Sequence, residues 1–199
     1  MARRTIVWVK EGDLGAEFAD VTFLRSSLSA AGTAIGSTPV PYRLDYTLKT
    51  TRKYLTTRLN VSSRGDNWWR RLELRRGRSG KWTARASGGG RVELSSPGGD
   101  MTQLEGALDC DLALSPLTNS MPVLRHGLLE RGGPLEFSMA WVSVPDLHVY
   151  PSGQRYTFIR KDDGDSIVRY ESSSRDFIAD LSFDKHGLCL RYPGLGHAV

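Results

Sequence analysis

Asp109 to Arg125 reads DCDLALSPLTNSMPVLR, with two acids, a Ser-Pro step, an Asn and a second Pro set among Leu, Met and Val, and no Gly to loosen it. A surface loop would be more polar, and an uninterrupted strand would not carry Pro116 and Pro122, which fix φ and remove ladder donors. The run therefore reads as a strand that stops abruptly. Leu108 to Leu114 pair in a sheet, Ser115 caps a short turn opened by Pro116, and Asn119 takes the left-handed conformation that reverses the chain before Pro122. Such a corner, with sheet on both sides, fixes how two sheet sections meet.

Outward from the corner the period is two almost everywhere, and no long stretch shows a helical stripe. Tyr42, Leu44, Tyr46 and Leu48 face one way, against Arg43, Asp45, Thr47 and Lys49. Leu55 to Ser62 repeats the pattern. Ala19, Val21 and Phe23 share a face of an earlier strand. Trp68, Leu72 and Leu74 share one phase and Trp69, Arg71, Glu73 and Arg75 the other, with arginines on both. A strand through Trp82 follows, and Gly88 to Gly90 lead into another through Val92 and Leu94. Downstream, Leu135, Phe137, Met139 and Trp141 line one face, and Asp163-Gly164 is a strong hairpin signal. A dozen or more strands joined by short turns predict an all-β fold, a many-stranded antiparallel barrel or half-barrel forming one domain over residues 1–199. A barrel of this many strands is wider than its own side chains fill, so an apolar cavity is expected, lined by Tyr46, Phe137, Met139 and Trp141. The plain alternative makes these four ordinary core residues.

Apolar residues make up 39% of the 199, enough for a real core. Ala2 to Lys10 offers only a four-residue apolar run, unlike a secretory leader, and no stretch approaches the roughly 20 apolar residues of a spanning helix. A cytoplasmic protein is expected, with Cys110 and Cys189 as buried free thiols.

The net charge of +5 conceals an asymmetry. Ten Lys or Arg stand between Arg58 and Arg91 against Asp66 and Glu73, an excess of eight that leaves the rest of the chain net negative by three. Arg71, Arg75, Arg76 and Arg78 are the candidates to meet a lipid headgroup or an anionic membrane surface. The plain alternative is a solvated basic face. Trp68 and Trp69 interleave with these cations as in single-strand binders, but one cluster lacks a repeated stacking platform, so no nucleic acid partner is expected.

Asp109 and Asp111 stand two apart on one strand face, a spacing that admits the carboxyl pair of a glycoside hydrolase. The competing reading is structural, with Arg125 as a ready ion partner. The four histidines show no metal-ligand spacing, and no G-x-S-x-G, Walker or C-x-x-C motif is present. Neither a metal nor a cofactor is expected, and the non-catalytic reading is preferred.

ALDCDLALSPLTNSMPVLR, QRYTFIR from Gln154, VRYES from Val168, DFIADLSFDKHGL from Asp176 and the terminal YPGL are similar, in order and spacing, to the successive motifs of the glycolipid-binding family, a domain-of-unknown-function group. The resemblance spans nearly the whole chain, including Trp8 and Glu17, and is strongest after Leu104. It implies a half-barrel or barrel around an apolar cavity, similar in shape to bacterial lipoprotein carriers, with a lipid or glycolipid as ligand. Asp109, Asp111, Pro116, Asn119, Pro122 and Arg125 stand at the family's motif positions. Cys110 stands between the acids where a small aliphatic residue is expected.

Overall fold

In the computed structural model, which describes residues 1–12, 14–173 and 176–199, fourteen strands form one curled sheet. Seven strands of nine residues each lead the chain: β1 (Ala2–Lys10), β2 (Gly15–Phe23), β3 (Leu28–Gly36), β4 (Tyr42–Thr50), β5 (Thr56–Arg64), β6 (Trp68–Arg76) and β7 (Trp82–Gly90). After a crossing segment come β8 (Asp109–Leu112), β9 (Leu135–Val142), β10 (Val149–Asp162), β11 (Asp165–Ser172), β12 (Phe177–Phe183), β13 (Cys189–Tyr192) and β14 (Gly196–Ala198).

β1 to β7 and β9 to β14 are each a meander, and β1 pairs with β14 to join them, leaving β7 and β8 as the two edges. The sheet is a half-barrel, not a closed barrel. Among the named strands, only β8 on β9 is parallel, with Asp109 opposite Met139 and Asp111 opposite Trp141.

Alternation decides which side of each strand meets the core. Tyr42, Leu44, Tyr46 and Leu48 are buried, as their period requires, while Arg43, Thr47 and Lys49 are exposed. Across the inner face, register aligns Trp8, Glu17, Ala34, Leu44, Ser63, Arg70 and Gly88 in one row. Two of those residues are charged, and both are buried.

The strand expected through Val92 and Leu94 does not form. β7 itself absorbs the three glycines, and Arg91 then donates its backbone N–H to Asn67 O as the chain leaves the sheet. Gly90, at φ +89°, permits this exit, since a Cβ there would lie 1.9 Å from Asn67 O.

The corner fills the half-barrel. After β8 a 3₁₀ turn, Pro116–Asn119, runs into α1 (Ser120–His126), closed by Gly127 in the left-handed conformation. Leu117 and Met121 pack in the core of the N-terminal strands, and Val123 packs with Tyr156, Val168 and Leu181 of the C-terminal ones. Thr56 of β5 accepts the backbone N–H of Cys110 at 3.1 Å and fastens β8 to the opposite wall.

Two details differ from expectation. Asn119 is right-handed, at φ −67°, and the left-handed residue is Leu114, at φ 62°. The reversal thus occurs before Pro116, which frees the Asn119 side chain for a long-range hydrogen bond. Ser115 precedes the turn, yet makes no side-chain cap bond. Pro122 lies in the first turn of α1, where no intrahelical donor is required.

Candidate functional site

Where β8 stops, the chain from Asp111 to Ser115 borders a cleft of about 280 Å³ whose far side is Trp141, Phe177, Tyr192 and Leu195. Trp141 and Phe177 are half-buried, so their rings border the open space. Behind them the rings of Phe137, Tyr156, Tyr170 and Tyr192 follow one another at centroid separations of 5.9, 5.3 and 5.8 Å. A second cleft, of about 500 Å³, shares Phe177 with the first and adds Phe137 and Gln154, but Glu136, Arg155, Glu171 and Asp176 also line it.

The polar wall between the clefts is one hydrogen-bonded network. Asp111 accepts from Thr118 Oγ1 at 2.9 Å and from Gln154 Nε2 at 2.6 Å. Gln154 Oε1 accepts from Tyr156 OH at 3.0 Å, and Asn119 Nδ2 donates to that hydroxyl at 2.8 Å. Every member is buried, so each lost bond would leave a dry polar atom behind. The two oxygens of a carboxylate accept up to about four hydrogen bonds, and Asp111 borders the first cleft.

Asp109 has a different task. Arg125 grips both of its oxygens, through Nη1 at 2.9 Å and through a closer Nη2 contact, and both side chains are almost wholly buried. Burial pushes the Asp109 carboxyl above the usual aspartate range, while Arg125 pulls it back. Both acids sit among fixed donors, so the two-acid motif serves the corner's architecture as well as bordering the cleft. Cys110 between them is a buried free thiol, pushed up to about 12 by burial.

A third buried acid adjoins the same corner. Glu17 Oε1 accepts from Tyr46 OH at 2.7 Å and from Ser115 Oγ at 2.6 Å, and Lys10 Nζ lies 3.5 Å from Oε2. Periodicity held the signal for Glu17, which shares the inward phase of Ala19 and Val21; only the family resemblance drew it out.

The four expected lining residues separate. Trp141 borders the first cleft and Phe137 the second. Met139 is buried, in one cluster with Val123, Leu128 and Tyr156, and Tyr46 is buried with its hydroxyl on Glu17. Pro116, Asn119 and Pro122 are buried in the corner.

Of the four arginines, Arg75, Arg76 and Arg78 gather with Lys49, Arg58 and Lys81 around a groove of about 600 Å³. Arg71 stands apart, its guanidinium 5.1 Å from the Trp69 ring centroid. This basic groove lies at the Thr50 and Trp82 end of the strands, whereas the corner cleft lies at the Lys10 and Gly196 end. Nine-residue strands put the two ends roughly 25 Å apart. The basic groove and the cleft mouth therefore face opposite ends of the half-barrel.

Among the described residues no group of three or more His, Cys, Asp or Glu is placed to hold a metal. Among the same residues no helix is long and apolar enough to cross a membrane.

A family profile described as "Putative glycolipid-binding" matches residues 5–198. A crystal structure of a DUF1089-family protein from Pseudomonas aeruginosa is similar, with a TM-score of 0.67 and 25% identity, over 90% of each chain. No curated protein matches.

Proposed function

Because this chain belongs to the glycolipid-binding family, we propose that it holds a glycolipid without transforming it, the sugar at Trp141 and Asp111 and the acyl portion leaving along Phe177. The observation that carries this reading is a buried, hydrogen-bonded carboxylate in the wall of an aromatic-lined cleft. A sugar has apolar faces for Trp141 and hydroxyls for Asp111. The first cleft lies at the small end of ligand sites, so one ring fills it and the acyl chain must run elsewhere. Each methylene buried there contributes about 0.8 kcal/mol, enough to offset binding costs of several kcal/mol with about ten of them.

The fixed partners of the acids support the non-catalytic reading over a glycoside hydrolase. Asp109 is held by Arg125, and Asp111 by Thr118 and Gln154, so neither is poised to trade protons with a leaving group. Six cations with Glu73 close by support contact with an anionic membrane surface at the basic end. The two buried free thiols fit a reducing, cytoplasmic setting.

Native mass spectrometry of the purified protein, followed by organic extraction, tests the reading. One acyl-bearing, sugar-bearing species per chain is expected, lost in Trp141→Ala. Persistent absence after growth with added glycolipid overturns it.

A further inference from the structure

Arg70 is the anomaly of the inner face. It stands between Trp68 and Leu72 in the inward phase of β6, is only 8% exposed, and has no carboxylate partner among the described residues. Its Nη1 donates to two backbone carbonyls, Trp69 O at 3.0 Å and Gly89 O at 3.3 Å. Its Nε is buried with no acceptor among the described residues, and Nη2, which makes none of the hydrogen bonds described, is not fully buried. The Nε and Nη2 edge of a guanidinium is the planar fork that grips two oxygens of one anion.

Ser63 of β5 stands directly opposite in register, on the same face, and is 1% exposed. Its Oγ is a second buried polar atom without a partner. Cross-strand neighbours on one face place their Cβ atoms about 5 Å apart, so a ligand held by the fork is within reach of the hydroxyl. The nearest inner-face acid in the same row is Glu17, four strands away or roughly 19 Å along the sheet, and Lys10 already answers it.

The third wall is glycine. Gly88 of β7 lies opposite Arg70, and a Cβ there would fall 2.7 Å from Arg70 Cδ and 3.1 Å from Nη1. Ala86 and Gly88 are exposed although their phase is inward, and no strand pairs beyond β7. The guanidinium is thus buried one strand in from an open edge. A charge in that position without a counter-ion is strongly disfavoured, and an anion entering over the glycine edge would relieve it.

We propose that Arg70 and Ser63 form an oxyanion site of the phosphate class, separate from the corner cleft. Three donors, the two of the fork and the serine hydroxyl, match three oxygens of a tetrahedral phosphate better than the two of a carboxylate. The phosphate is either free or the headgroup of a lipid whose chains lie outside the β7 edge.

Thermal melts in sodium phosphate against sodium chloride of equal ionic strength read the site directly. The wild type is expected to gain melting temperature saturably in phosphate, and Arg70→Met to lose that gain. Should Arg70→Met fail to fold, Ser63→Ala decides: it melts like wild type in chloride and binds phosphate about tenfold more weakly, the loss of one charge-assisted hydrogen bond. Dioctanoyl phosphatidic acid separates the sources, with tighter binding than inorganic phosphate marking a headgroup and equal binding marking the free ion. Equal melting in phosphate and chloride together with no effect of the lipid overturns the site, as does a phosphate gain that survives both variants. Trp141→Ala should leave the phosphate response unchanged, so this site and the glycolipid cleft succeed or fail independently.

Discussion

Ser115 Oγ donates to Glu17 Oε1 at 2.6 Å, tying the corner to β2 across 98 positions of sequence. Burial raises the Glu17 carboxyl above its ordinary value of 4.5 and lowers Lys10 below 10.5. For Glu17 the folded state holds more protons than the unfolded chain in the window above 4.5, so its share of stability is complete below that pH and is lost as pH rises through the raised value. For Lys10 the unfolded chain holds more protons below 10.5, so stability climbs with pH through that window. Urea melts from roughly pH 4 to pH 8 should show a fall, to which the two raised acids, Glu17 and Asp109, each contribute a slope of at most about 1.4 kcal/mol per pH unit, whereas above 9.0 the rise from Lys10 is opposed by the two buried thiols. Glu17→Gln is expected to remove its own share of the fall and to leave that of Asp109. An unchanged falling limb would mean that another group carries it.

The ion pair inside the corner gives a second expectation. Arg125→Ala leaves the Asp109 carboxyl buried and unanswered, at a cost of about 3 to 5 kcal/mol. Asp109→Asn in the Arg125→Ala background should recover part of that, since it removes the stranded charge. Denaturant melts of the two variants decide it, and a double variant no more stable than the single would assign the loss to packing.

Much of this arrangement is readable in the chain. Strict alternation in Tyr42 to Lys49 fixes both the strand and its inward face, because a half-buried strand has only two sides. An abrupt end ahead of Pro116 is legible too, although β8 stops at Leu112 and not at the expected Leu114. Asn119 is not: its side-chain partner is Tyr156, 37 positions away, and that distant bond rather than turn propensity sets its conformation. The meeting of Trp141 with Tyr192 and Phe177 depends on sheet curl, which no local period encodes. Arg70 was visible as an arginine in the apolar phase of β6, but only the register with Ser63 and Gly88 gives it neighbours.

Thiol chemistry checks the packing around β8. Burial pushes the Cys110 thiol up to about 12 and raises Cys189 as well, so almost no thiolate exists at neutral pH. Ellman's reagent should leave the native protein untouched for hours and titrate two thiols once guanidinium unfolds it. Fast reaction of either thiol in the native state would contradict the tight interior.

At the basic end, Arg75, Arg76 and Arg78 changed together to Gln should weaken binding to anionic vesicles, by about 1 kcal/mol for each cation that reaches the surface, and the binding should fade with salt. Arg71→Gln should change little, since Arg71 lies over Trp69 away from the groove. Vesicle sedimentation at two salt concentrations measures both. Tighter binding of wild type to a single-stranded oligonucleotide than to vesicles at equal salt would reassign this end to nucleic acid.

Met139 and Trp141 lie two apart on β9 and are expected to respond in opposite ways. Met139 is 2% exposed and packs with Val123, Leu128 and Tyr156, so Met139→Trp forces volume into a filled space and should cost about 1 to 3 kcal/mol. Trp141 is half-buried against the cleft, so Trp141→Ala should cost less than the 3 kcal/mol or more typical of a core tryptophan and should take ligand uptake with it. Denaturant melts and displacement of a fluorescent fatty acid, on the same preparations, separate the two roles. If Met139→Trp kept wild-type stability while losing the probe, space for an acyl chain would lie beside Met139, and the ligand would run through the half-barrel rather than along its mouth.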